Sequence, residues 1–168
     1  MFKIPILFLT YNRITCTKKS LSAILKIKPN KIYISSDGPK KNDLDKKKVK
    51  NTRRIFERLE SRINIQKKYN DKNLGCKKSN LEALNWFFKK EKFGIILEDD
   101  CIASVEFFKF CEIVLKKYKD NKKIYCISGS NFQKEKLSNE SYYFSKYNHC
   151  WGWATWRDRW KLNHDKIS

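Results

Sequence analysis

Arginine is scarce in this chain: 7 residues against 31 lysines, in a sequence of 168 residues with a formal charge of +20. Arginine is the better bidentate reader of phosphates and bases, so a field built from lysines scattered along the whole chain argues against a dedicated nucleic-acid surface. Abundant Lys, Asn and Ile fit an AT-rich genome. The positive balance still attracts small anions such as nucleotides or acidic lipid headgroups. The six cysteines, at positions 16, 76, 101, 111, 126 and 150, form no CxxC pair and no metal-finger spacing. They read as reduced, buried thiols of a cytosolic protein. Long apolar runs are missing too. "MFKIPILFLTYNR" is apolar only as far as Leu9, too short for a secretory core and far too short to span a bilayer. No repeat, linker or low-complexity break divides the chain. What is present is 40% hydrophobic and 14% aromatic residues, enough for one packed domain over 1–168.

The apolar pattern alternates between two periods. Lys3 to Thr10, Lys31 to Ser35, Arg62 to Gln66, Phe93 to Leu97 and Lys123 to Ile127 read as strands. Ile14 to Ile27, Leu44 to Glu60, Gly75 to Lys89 and Val105 to Tyr118 read as helices. Ser104 is the expected N-cap of the last, with Glu106 in its first turn. Tyr142 to Phe144 reads as a further short strand. This order predicts an α/β fold with a mostly parallel sheet flanked by helices.

In such a sheet, ligands bind outside the carboxyl ends of the strands. The residues that follow the predicted strands are Thr10, Tyr11, Asn12 and Arg13, then Asp37, then Asn70, Asp71 and Asn73, then Glu98, Asp99 and Asp100. Strand alternation predicts that Glu98 and Asp100 point one way and Asp99 the other. Two carboxylates at the lip of a cleft suit magnesium or manganese, with substrate phosphates and water completing the octahedron. The plain alternative is a solvated acidic turn paired with lysines. Asp37 stands before Gly-Pro and is either turn chemistry or an acceptor for a base or ribose. Tyr11 either stacks on a base or ends a strand.

Together, "FLTYNR", "SSDGP", "NLGCKKS", "ILEDD" and "HCWGWATW" resemble bacterial nucleotide-diphospho-sugar transferases of the GT-A fold. That group is similar to family 2 glycosyltransferases and, distantly, to the N-acetylglucosaminyltransferase I type. The resemblance covers Ile4 to about Trp160. It implies a donor-binding half over 1–100 and a partial acceptor half over 101–168, shortened at the C-terminus. It implies that Asp100, with Glu98, meets a divalent metal, Mn2+ or Mg2+, that Glu98 also approaches the ribose or sugar of the donor, and that Asp99 supports the loop of the donor site. It implies that Thr10 to Arg13 and Asp37 line the nucleotide pocket, and that Gly75 and Lys77 or Lys78 lie near the diphosphate. Trp151, Gly152, Trp153 and Trp156 would line the sugar or acceptor site, or at least one of the three tryptophans would pack a final helix into the core. The base that accepts the acceptor's proton is sought among His149, Asp158, His164 and Asp165, with His149 and Asp158 foremost.

The function implied is transfer of a sugar from a nucleotide-diphosphate donor, a UDP-sugar foremost, to a glycan or lipid-linked acceptor. Family 2 likeness favours inversion. The cell compartment implied is the cytoplasm, with peripheral contact at the inner membrane face; each lysine near an anionic surface contributes about 1 kcal/mol. Competing readings are an inactive domain of the same fold that binds nucleotide sugar or a partner, and a basic nucleic-acid-binding protein. A nucleotidyltransferase would usually carry a glycine-rich first loop, and "TYNRIT" contains no glycine.

Overall fold

A computed structural model describes residues 1–57, 59, 63–133, 135 and 139–164, the last two without their side chains. Its elements are β1 (Ile6–Thr10), α1 (Ile14–Lys26), β2 (Lys31–Ser36), α2 (Asp43–Glu57), β3 (Asn64–Tyr69), α3 (Cys76–Lys90), β4 (Phe93–Glu98), α4 (Val105–Lys117), β5 (Cys126–Ser128), β6 (Trp153–Trp156) and α5 (Arg157–His164). They form one six-stranded sheet in the order β3-β2-β1-β4-β6-β5. The first four strands are parallel, and β6 is antiparallel to both β4 and β5. The fold is therefore α/β with a mainly parallel sheet between helices.

β1 is buried at every position because helices cover both faces of the central sheet. Its side chains still alternate. Ile6 and Phe8 pack with Ile24, Phe56, Phe108 and Trp156 on one face. Leu7 and Leu9 pack with Tyr33, Leu84 and Phe87 on the other. At the outer edges, β3 carries Lys67 and Lys68 and β5 has only three residues, both features that discourage further strand pairing. α4 starts as its sequence demands: the Ser104 hydroxyl accepts from the Phe107 amide at 3.2 Å, and Lys116 and Lys117 face the negative end of the helix.

Five expectations differ from the structure. Of the six cysteines expected to be buried only Cys111 is, while Cys76 and Cys150 are exposed because they stand on the surface-facing start of α3 and in the irregular segment before β6. β3 begins at Asn64 and runs to Tyr69, because pairing with β2 extends it through the polar residues 66–68; Arg62 lies outside the described residues. The strand expected at Lys123 is confined to Cys126–Ser128. Tyr142 to Phe144 is irregular, since these rings pack onto α4, Tyr142 against Phe110 and Phe144 against Tyr118, instead of pairing with a strand. The tryptophan-rich segment is strand β6, and helix begins only at Arg157. Among the described residues, no helix is long and apolar enough to cross a membrane.

Candidate functional site

Strand direction decides which residues can meet. The carboxyl ends of β1, β2, β3 and β4 share one edge of the sheet. β6 runs the other way, with Trp153 opposite Ile96 and Trp156 opposite Phe93. Its start therefore lies beside the end of β4, together with the end of β5. Tyr11 to Arg13, Asp37, Asn70 to Gly75, Glu98 to Asp100, Gly129 and Ser130, and Trp151 to Trp153 thus gather along one edge. Asp158 follows the far end of β6 and lies at the opposite edge, where the Arg157 amide donates to the Lys92 carbonyl at 2.8 Å.

The acidic triplet has a positive partner, and it is Arg13. One guanidinium nitrogen donates to Asp100 Oδ2 at 2.9 Å, and the other donates to Asp99 Oδ1. The expected alternation fails because β4 ends at Glu98; Asp99 and Asp100 form a turn and both meet the same fork. Asp99 is 2% exposed, its carbonyl accepts from the Ser20 hydroxyl at 2.9 Å, and its Oδ2 is buried without a hydrogen-bond partner. Burial pushes the Asp99 carboxyl up, against the pull of Arg13. Burial and then the neighbouring Asp100 and Asp99 charges push Glu98 up as well. Arg13 is held charged, chiefly by its hydrogen bond to Asp99.

Asp37 is a hub. Its Oδ1 accepts from the amides of Gly38 (2.8 Å) and Leu74 (3.0 Å) and from Asn70 Nδ2 (3.2 Å). Its Oδ2 accepts from Asn73 Nδ2 (3.0 Å) and the Gly75 amide (3.2 Å). The carboxylate thereby pins the loop between β3 and α3 to the end of β2. A Cβ on Gly38 would lie 2.3 Å from the Lys72 carbonyl carbon, so the loops touch backbone to backbone. Gly75, at φ 80°, sits at the start of α3, where the helix dipole is positive and Lys77 and Lys78 are exposed. Thr10 donates its hydroxyl to the Ser35 carbonyl at 3.1 Å and is buried.

Two hubs escaped the sequence reading. Asp45, in the first turn of α2, accepts from Tyr11 Oη (2.5 Å), Asn12 Nδ2 (2.5 Å) and the Lys40 amide (2.7 Å). Burial works against its charge, yet these donors hold its pKa below the usual carboxylate range, while burial and the Asp45 hydrogen bond push the Tyr11 phenol up. The available signal was Asn42 three residues before Asp45, since Asn42 Oδ1 caps the Asp45 amide at 2.8 Å. Arg53 donates to Ser36 Oγ and to the carbonyls of Ser36, Asp37 and Asn70, binding α2 to the same loops.

On the other side of the acids, Trp151 is exposed and stacks on His149, with ring planes at 9° and centroids 6.2 Å apart. Phe132, not expected from sequence, meets His149 edge-on at 4.8 Å. Gly152 has φ +77°, and a Cβ there would press on the Leu97 side chain at 3.3 Å. Trp153 packs against the core face with Leu7 and Phe87, and Trp156 is buried, its indole N–H donating to the Leu115 carbonyl at 3.2 Å. Only Trp151 of the three offers an open ring. Asp158 is engaged by Lys122 and Arg159; burial opposes its charge, but these cations hold its pKa low, which makes it a weak base. The His164 side chain and Asp165 lie outside the described residues.

Among the described residues no group of three or more His, Cys, Asp or Glu is arranged to hold a metal ion. Glu98 and Asp100 are what the edge offers, and Asp99 Oδ2 is a buried oxygen in want of a partner. Such a donor set fits a hard cation that also binds substrate phosphate, since magnesium and manganese take one or two carboxylates at such sites.

No protein-family model matches the chain, and no curated protein sequence matches it. Solved structures are similar to it. One is the 4-diphosphocytidyl-2C-methyl-D-erythritol synthase from Anaerococcus prevotii, with a TM-score of 0.59 at 16% identity, over 99% of this chain and 77% of that one. Another is a mannosyltransferase from Pyrobaculum calidifontis in complex with GDP-Man and Mn2+, with a TM-score of 0.49 at 13% identity, over 74% of this chain and 34% of that one. The first likeness shows a shared α/β fold; the second is too slight to add to it.

Proposed function

We propose that this protein is a glycosyltransferase. It would bind a nucleotide-diphosphate sugar at the carboxyl edge of its sheet and pass the sugar to an acceptor hydroxyl. The observation that supports this reading is the convergence, at one edge, of the first loop, the acidic turn, the start of α3 and an open tryptophan ring. In this reading the Tyr11 ring, fixed through its hydroxyl to Asp45, offers a face to the base. Asp37 keeps the neighbouring loop in place to wall the pocket. The start of α3, with Lys77 and Lys78, faces the diphosphate. Asp100 and Glu98 would hold a divalent cation, Mn2+ or Mg2+, which when bound supplies Lewis-acid stabilisation of the departing diphosphate. Trp151 stacks on the sugar or acceptor, beside Gly152 and Trp153.

In an inverting transfer, the acceptor oxygen forms a bond to the anomeric carbon as the bond from that carbon to the diphosphate oxygen breaks. The acceptor's proton goes to a base on the acceptor side. In this reading the base is His149, which stacks on Trp151, and not Asp158, which pairs with Lys122 and Arg159 beyond the far end of β6. The acceptor class that suits the reading is a glycan or lipid-linked glycan, with the protein in the cytoplasm and its lysines against an anionic membrane face.

The test is calorimetric titration of the whole chain with UDP-sugars, GDP-mannose and cytidine triphosphate, with and without Mn2+, for the wild type and Asp100→Ala. Micromolar binding of a nucleotide sugar that needs the cation and Asp100 supports the reading. Binding of free triphosphate alone, with pyrophosphate released in turnover, would replace it with nucleotidyl transfer. Absence of binding by every nucleotide would sink both.

A further inference from the structure

We infer that Arg13 stands in for the cation in the ligand-free protein and yields its carboxylates only when a diphosphate is present to receive its guanidinium. This rests on the proposed nucleotide-sugar site and adds an order of binding to it.

The geometry behind the inference is the Arg13 fork. It bridges Asp99 Oδ1 and Asp100 Oδ2, so the carboxylate best placed for a cation already has a charged partner. A divalent ion brought to Asp100 would stand within a few ångströms of a guanidinium that cannot lose its proton, and the two repel. Arg13 is also built to move. Its carbonyl is anchored, accepting from the Thr17 amide and the Thr17 hydroxyl at 2.9 Å each. Its side chain makes no cap bond to α1 and is 48% exposed. A fixed backbone with an open, long side chain is a pivot. The same planar fork that grips two carboxylates fits two phosphate oxygens equally well.

The consequence is cooperative loading. A cation alone must displace Arg13 with nothing to accept it. A diphosphate alone must draw Arg13 away and leave two adjacent carboxylates, one of them buried, without a counter-charge. Arriving together, the diphosphate receives the Arg13 guanidinium and the cation restores positive charge beside Asp99 and Asp100.

The experiment measures Mn2+ affinity by electron paramagnetic resonance on the full chain, first without nucleotide. Arg13→Gln should bind Mn2+ at least ~10-fold more tightly than wild type, a coupling of ordinary size. Arg13→Lys, which keeps the charge but loses the fork, should fall between them. Adding Asp100→Asn to Arg13→Gln should abolish the gain. Equal or weaker Mn2+ binding by Arg13→Gln overturns the inference. A second arm uses only the wild type: UDP should tighten Mn2+ binding by ~10-fold or more, and a UDP complex whose Mn2+ affinity is unchanged also overturns it. If no nucleotide binds at all, the proposed function fails, and the nucleotide-free arm still decides whether Arg13 competes with the cation.

Discussion

Asp37→Asn tests whether the Asp37 carboxylate serves mainly to hold the site's wall. In the wild type, Oδ1 takes three donors and Oδ2 takes two. An asparagine with its oxygen in the Oδ1 position keeps the first three. Its amide then faces Asn73 Nδ2 and the Gly75 amide, donor against donor. Hydrogen bonds to charged groups contribute about 1.5–3 kcal/mol each, and a buried donor left unpaired is costly. Losing two of them amounts to roughly 3–6 kcal/mol, a large share of the ~5–15 kcal/mol that holds a domain together. At ~2–4 °C per kcal/mol for a chain of this size, the melting temperature should fall by about 6–24 °C. Thermal melts followed by circular dichroism, with urea titrations at 25 °C, give the number directly. Nucleotide affinity measured well below the melting point should weaken alike for uridine, guanosine and cytidine nucleotides. A variant that melts within 2 °C of wild type but loses one base selectively would refute this account and make Asp37 a reader of the base.

Two further outcomes follow from single side chains. Glu98 has its pKa raised, first by burial and then by Asp100 and Asp99, so its charged form costs stability once pH exceeds the unfolded carboxylate value near ~4.3. Glu98→Gln should therefore raise the melting temperature at pH 7, with the gain shrinking as pH falls and gone below pH ~4; a gain that does not vary with pH would contradict the electrostatic cause. Arg159 is 2% exposed, donates to the carbonyls of Tyr118, Lys119 and Asn121, and lies over the Trp156 ring at 4.3 Å. Arg159→Leu should cost about 3–5 kcal/mol by urea titration, and a loss below 1 kcal/mol would show that those carbonyls find water instead.

The parallel half of the fold was legible because strands buried on both faces leave continuous apolar runs, as in "ILFLT" and "FGIILE". The edge that gathers the site was legible for the same reason: parallel strands all end on one side. β6 was not. Ala154 and Thr155 are both buried, since the strand lies inside the sheet, so no alternation marks it, and its aromatic neighbours read equally well as a helix face. Asp45 and Arg53 were hidden among the charges of α2, where a side chain that reaches a distant loop looks the same as one that reaches water. The split of Glu98 and Asp100 from Asp99 failed because strand geometry was carried two residues past the strand. The partner of the acids was in plain view as Arg13, but nothing local in the sequence links it to residues so far along the chain.

The place of β6 between β4 and β5 has a consequence for how the chain is made. β1 to β4 pair only with one another on one side, and they are complete once Glu98 has been synthesised. The other side of β4 then stays open, an apolar strand with free backbone groups, until Trp153 to Trp156 arrive. At ~5–20 residues per second, that wait lasts several seconds on the ribosome. During it the growing chain presents the kind of edge on which other strands add. The antiparallel strand that completes the candidate site is therefore also the strand that ends this exposure, and weakening it, for example at Gly152, should show first as lost soluble yield and only then as lost binding.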